Sequence, residues 1–192
     1  MTEAHRRQKQ PQLIRGQLLA VVRSLLVEQG PHAVTLDAVA KQANVTKGGL
    51  QHHFPSKQAL LEALSDQLFE EFECSFAKAL SQEAPAPARH ARAYIRTCFD
   101  HSPGGHTVET QRAIGLLALT LPQCRERWHA AMETALAADG NDPETANRLL
   151  LCRLAGDGFW FAQMLDVYHL DADRKQVILK MLLALCDGDL QP

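Results

Sequence analysis

The sequence predicts an all-α protein of about nine helices, an N-terminal helix-turn-helix domain followed by a larger helical domain. Three observations predict this. Apolar residues recur at helical spacing almost throughout, strand-like alternation is hard to find, and proline or glycine punctuates successive apolar stretches. With 192 residues, 46% of them apolar and 22% charged, the chain can bury a core without help from metals or disulfides.

The first helix is expected over residues 12–29, where Leu18, Val21, Val22, Leu25 and Leu26 form one stripe and Gly30-Pro31 ends it. Thr35 is placed to cap the second, which turns Leu36, Val39, Ala40 and Ala43 inward. Asn44 and Val45 make a tight turn into a short third helix over 46–54, stopped by Pro55 because proline cannot continue the hydrogen-bond ladder. Ser56 caps a long fourth helix whose apolar face runs through Leu60, Leu61, Leu64, Leu68, Phe72 and Phe76. After a Pro/Ala break at 83–87, further helices are expected at about 88–101, 107–120, 122–138, 143–168 and 172–187. Pro122 and Pro143 suit first-turn positions, the latter behind a capping Asp142.

A formal net charge of -2 hides a division. Up to Lys57 there are eight basic side chains against three acidic ones, leaving twelve against nineteen for the remainder, so the first part is suited to a polyanion. Five widely spaced cysteines without a CxxC pair point to free buried thiols in a reducing compartment. The polar, basic start lacks the apolar core of a signal peptide, and no apolar run approaches the ~18 residues of a membrane span, so a cytoplasmic location without membrane association is expected.

Residues 35–57 carry most of the functional information. Two helices joined by a short turn, with small residues where they cross, describe a helix-turn-helix. Val45, Leu50 and Phe54 pin the third helix, leaving Thr46, Lys47, Gly49, Gln51, His52 and His53 outward on a short rod suited to the major groove of double-stranded DNA. The stretch resembles the tetracycline-repressor (TetR) family through Thr35, Val39-Ala40, Ala43, Val45-Thr46-Lys47-Gly48, Leu50, Phe54 and Lys57, and departs from it at Gln51, where the family usually has a phosphate-contacting tyrosine. The resemblance implies phosphate contacts from Thr35, Thr46, His52 and Lys57, and base or groove contacts from Lys47, Gly49 and Gln51, whose amide suits adenine. Taken singly, the threonines are also ordinary caps and the lysines ordinary solvated charges. His5, Arg6, Arg7 and Lys9 precede the core-forming pattern as a basic arm, either unstructured or entering the minor groove.

The domains are accordingly expected as 1–57, basic arm and helix-turn-helix, and 58–192, ligand-binding and dimerisation. In the family the later helices form an effector cavity and a homodimer interface. The final helix is apolar nearly all round and with its predecessor suggests a four-helix bundle between two subunits, through Leu150, Phe161, Leu165, Ile178, Met181, Leu182 and Leu185. A deeply buried helix within one subunit is the alternative. For a small-molecule effector the candidates are Phe72, Cys98, Arg112, Trp128, Asp157, Trp160 and Met164. Asp157 has Arg153 four residues earlier as a ready partner. Facing the cavity beside Trp160 it would instead suit a cationic amphiphile, and hence control of an efflux or detoxification gene.

The sequence therefore reads as a ligand-responsive repressor that binds a palindromic operator as a dimer, with no catalytic residues and no cofactor. Two alternatives stay open: a small helical metal-handling protein or enzyme using some of nine histidines, and a DNA-binding regulator that activates or ignores ligand. Against the first, there is no HExxH, no phosphate-cradling glycine loop and no nucleophile elbow.

Overall fold

The computed structural model describes residues 3–100, 107–140 and 142–189, with side chains from Pro11 onward. Among the described residues there are nine α-helices and no strand: α1 (Glu3–Gln29), α2 (Leu36–Gln42), α3 (Lys47–His53), α4 (Lys57–Ser81), α5 (Arg89–Phe99), α6 (Val108–Thr120), α7 (Pro122–Ala138), α8 (Pro143–Met164) and α9 (Ala172–Asp187). No helix is long and apolar enough to cross a membrane among the described residues.

Local chemistry sets most of these boundaries. The hydroxyls of Thr35, Thr46 and Ser56 accept from the backbone N–H of Ala38, Gly49 and Ala59 at 3.0 to 3.1 Å, and the Asp142 and Asp171 carboxylates do the same for α8 and α9. Gly30, at φ +85°, takes the left-handed turn that ends α1. Two ends differ from expectation. α1 begins at Glu3 and passes through Pro11, whose fixed φ is itself helical and which removes only one donor, so the basic arm has a helical backbone. α8 stops at Met164 instead of running to 168, because Asp166, Tyr168 and His169 all adopt positive φ, a conformation no helix continues.

The chain divides into two compact units. One comprises the chain up to Leu68 together with Ala113–Arg125; the other comprises Phe69–Arg112 and the chain from Glu126 on. The division thus falls within α4, α6 and α7. The first unit buries Leu18, Val22 and Leu26 of α1, Val39, Leu50, Phe54, Leu60 and Leu64, and Leu117 of α6. In the second, Ala91, Ile95, Leu149, Cys152 and Cys186 form a cluster joining α5, α8 and α9. Four of the five cysteines are buried as expected; Cys74 is exposed.

Near the entry to α5, Glu83 binds Arg92 at 2.7 Å and also Arg96. Burial opposes ionisation of Glu83, but the hydrogen bonds and charges of the two guanidinium groups outweigh it and hold its carboxyl below the usual range. A lowered folded value means that the stabilisation is complete above the ordinary glutamate value of about 4.3 and disappears as pH falls through the folded one. The stability advantage over Glu83→Gln is therefore expected at pH 7 and should vanish near pH 2, read by urea denaturation. An advantage independent of pH would show that the carboxylate charge contributes nothing.

Candidate nucleic-acid interface and ligand cavity

Within the first unit, α3 is seven residues long and fixed from beneath. Leu50 and Phe54 are fully buried, Arg15 stacks its guanidinium over the Phe54 ring at 4.3 Å, and its Nη1 donates to the His53 carbonyl oxygen at 3.4 Å. Asn44, at φ +54°, makes the turn from α2 that aims the helix. A side chain at Gly49 would bring a Cβ within 3.1 Å of the Thr46 hydroxyl, so glycine there leaves the cap undisturbed. Thr35, Thr46, Lys47, Gly49, Gln51 and His52 are all exposed.

The two lysines have partners of their own. Lys47 Nζ lies 2.9 and 3.1 Å from the two carboxylate oxygens of Asp37 on α2. Such an exposed pair contributes about 0–1 kcal/mol and yields readily to a phosphate. Lys57 is half-buried, and its Nζ donates to the Pro31 carbonyl oxygen at 2.6 Å, tying the start of α4 to the turn after α1. Arg15 and Asp37 were not anticipated as supports of this surface. Their signal in the sequence is only a charge without an obvious local partner.

In the second unit, α4, α5 and α7 enclose a cavity of about 520 Å³. Aromatic lining comes from Phe69, Phe72, Phe76 and Tyr94, while α7 contributes Ala130, Ala131, Ala135 and Ala138. Of the residues expected to hold an effector, Phe72 lines this cavity. Trp128 stands behind it, edge-on to Phe72 at 4.7 Å and to Phe69 at 5.1 Å. Cys98, Arg112, Asp157, Trp160 and Met164 are not among the lining residues; Arg112 Nε donates to the Met164 carbonyl oxygen at 3.1 Å.

The expected Arg153–Asp157 pair does not form. Arg153 makes a two-pronged bond to Asp139 at 2.7 and 2.9 Å, both side chains buried, and also donates to the Ala135 carbonyl oxygen at 3.3 Å. Asp157 instead accepts from the Tyr94 hydroxyl. Burial raises its carboxyl above the ordinary aspartate value, against the smaller opposing influence of Tyr94 and Arg153.

Two family profiles match the chain: "Bacterial regulatory proteins, tetR family" over residues 18–64, and "Tetracyclin repressor-like, C-terminal domain" over residues 88–187. The chain belongs to the TetR family. Its relatives include the HTH-type transcriptional regulator BetI of Vibrio campbellii, 26% identical over 88% of this chain and 89% of that one. Another is the HTH-type transcriptional repressor KstR2 of Rhodococcus jostii, 27% identical over 77% of each. Among solved structures, a transcriptional regulator from Rhodococcus sp. superposes with a TM-score of 0.71 at 20% identity, covering 93% of this chain and 99% of that one. These are DNA-binding regulators of transcription, and no enzyme is among those named.

This TetR-family regulator also carries an exposed apolar stripe on α8. Leu150, Leu151, Leu154, Phe161 and Leu165 fall within about 100° around the helix axis, and Phe161 is 51% exposed. On α9, Val177 and Met181 are one turn apart, Met181 at 66% exposure. Of the residues expected at a subunit interface, Leu150, Phe161, Leu165 and Met181 are on these exposed faces. Leu182 and Leu185 instead pack against the subunit's own buried cluster, and Ile178 is half-buried.

Proposed function

We propose that this TetR-family regulator is a cytoplasmic repressor that binds a palindromic operator as a homodimer and is released by a small apolar effector. The observation that carries the reading is the exposed, capped α3, held by Leu50, Phe54 and Arg15 so that Gln51 and His52 face solvent. Thr35, Thr46, His52 and Lys57 meet phosphate, and Lys47, Gly49 and Gln51 approach the groove and base edges, where glutamine's amide matches adenine. One such helix makes too few base contacts for an operator, so two are needed, spaced by a helical turn or a multiple. The apolar stripes of α8 and α9 supply the pairing surface, since an exposed patch of that kind marks an association site.

The effector enters the α4–α5–α7 cavity and favours a dimer form with wrongly spaced recognition helices. It can shift the equilibrium only by its differential affinity for the two forms. α4, which belongs to both units, carries the change. The two family profiles favour this reading over a metal-handling protein.

The test is protection mapping on DNA upstream of the regulator's own coding region, followed by titration of Gln51→Ala and His52→Ala. Gln51→Ala is expected to cost about 1–3 kcal/mol and relax selectivity at one position of each half-site. His52→Ala should weaken all sequences alike. Absence of any protected palindrome, or full affinity in both variants, would overturn the reading.

A further inference from the structure

We infer that the α4–α5–α7 cavity selects a neutral, flat, ring-bearing molecule and discriminates against ions of either sign. This deepens the effector reading above and rests on it. Phe72 and Phe76 lie nearly parallel, 12° between their planes with centroids 6.3 Å apart, and Tyr94 stands edge-on to Phe72 at 70°. Beside Arg127, Met132 and Thr134, α7 contributes four alanines, whose side chains end at Cβ and leave a shallow strip that a ring system can lie against. At about 520 Å³, the space falls within the usual range for small-molecule sites and accommodates several fused rings.

The charged groups on the lining argue against an ion. Glu73 is exposed and repels anions at the edge of the cavity. Arg127 lies over the Phe69 ring, its guanidinium carbon 4.0 Å from the centroid, so the aromatic face that a cation would seek already holds one. The carboxyl once expected to attract a cationic amphiphile, Asp157, accepts from the Tyr94 hydroxyl and is not on the lining. An ion of either sign entering this space loses hydration and meets a like charge, Arg127 for a cation and Glu73 for an anion, whereas a neutral apolar body loses nothing comparable. The hydroxyls of Tyr94 and Thr134, which donate to Asp157 and to the Ala130 carbonyl oxygen, leave their oxygens to accept from a polar substituent.

The experiment compares three fluorescent probes with one conjugated body: diphenylhexatriene, its cationic trimethylammonium derivative and its anionic propionate derivative, each titrated into the full chain. The neutral probe is expected to bind at least about tenfold more tightly than either charged one. Arg127→Gln should raise affinity for the cationic probe about fivefold and leave the neutral one within about twofold. Ala135→Trp and, independently, Ala138→Phe at the exposed end of the same face should abolish binding by filling the space. Equal or tighter binding of a charged probe that both filling variants abolish would overturn the ligand class while leaving the cavity as the effector site. Neutral binding that survives both filled variants would place the probe elsewhere and overturn the effector reading itself.

Discussion

Met181→Arg is expected to yield a folded monomer that no longer holds the operator. The side chain is 66% exposed in the single subunit, so arginine there costs the monomer little. In the proposed dimer it would instead be an unpaired charge pressed into an apolar contact, a penalty of several kcal/mol applied at both symmetry-related positions. Operator affinity should fall by about a thousandfold or more, toward non-specific binding, because each monomer reads only a half-site. Sedimentation would give the mass and an operator titration the affinity. A Leu154→Arg chain tests the same surface from α8. Dimers that persist in both variants and still hold the operator would remove α8 and α9 from the assembly. Leu182 is unsuited to this purpose, since it packs on its own subunit's core and arginine there would unfold the helix pair.

Arg153→Ala should produce the largest loss of stability of any single substitution at a polar side chain described above. It leaves the Asp139 carboxylate buried without its two-pronged partner, and breaking such a pair from one side typically costs about 3–5 kcal/mol. The paired replacement Arg153→Met with Asp139→Asn should recover a large part of that loss, because the stranded charge is gone. Urea denaturation of the single and double variants measures both values. A single variant within about 1 kcal/mol of the native chain would mean that water reaches Asp139 freely.

The helices and the exposed, capped α3 were legible because their signals are local. Thr35, Thr46 and Ser56 each act within three residues, Pro55 acts on its own backbone, and the stripe of Leu18, Val22, Leu25 and Leu26 repeats at the helix period. The cavity was hidden for the opposite reason. Alanine carries almost no periodic hydrophobic signal, so the face of α7 that makes room was overlooked in favour of large aromatic and sulfur-bearing residues. Arg153 was assigned the nearest acid on its own helix, whereas its partner Asp139 lies fourteen positions back, beyond the start of α8, a distance that helical spacing does not encode. The final helix reads in sequence as apolar nearly all round. Which side faces the subunit's own core depends on how α5 packs, and so Leu182 and Leu185 were placed outward.

The interleaving of the two compact units within α4, α6 and α7 constrains anyone who wishes to re-engineer this regulator. Cutting after Leu68 would strip the operator reader of Ala113, Ile114, Leu117 and Leu121, a slab of its own interior supplied from forty-odd positions downstream. A chimaera that grafts the reader onto a foreign sensor must therefore transplant two stretches of sequence at once, and a library of spliced hybrids built on a single junction would be populated by chains with a hole where that slab belongs.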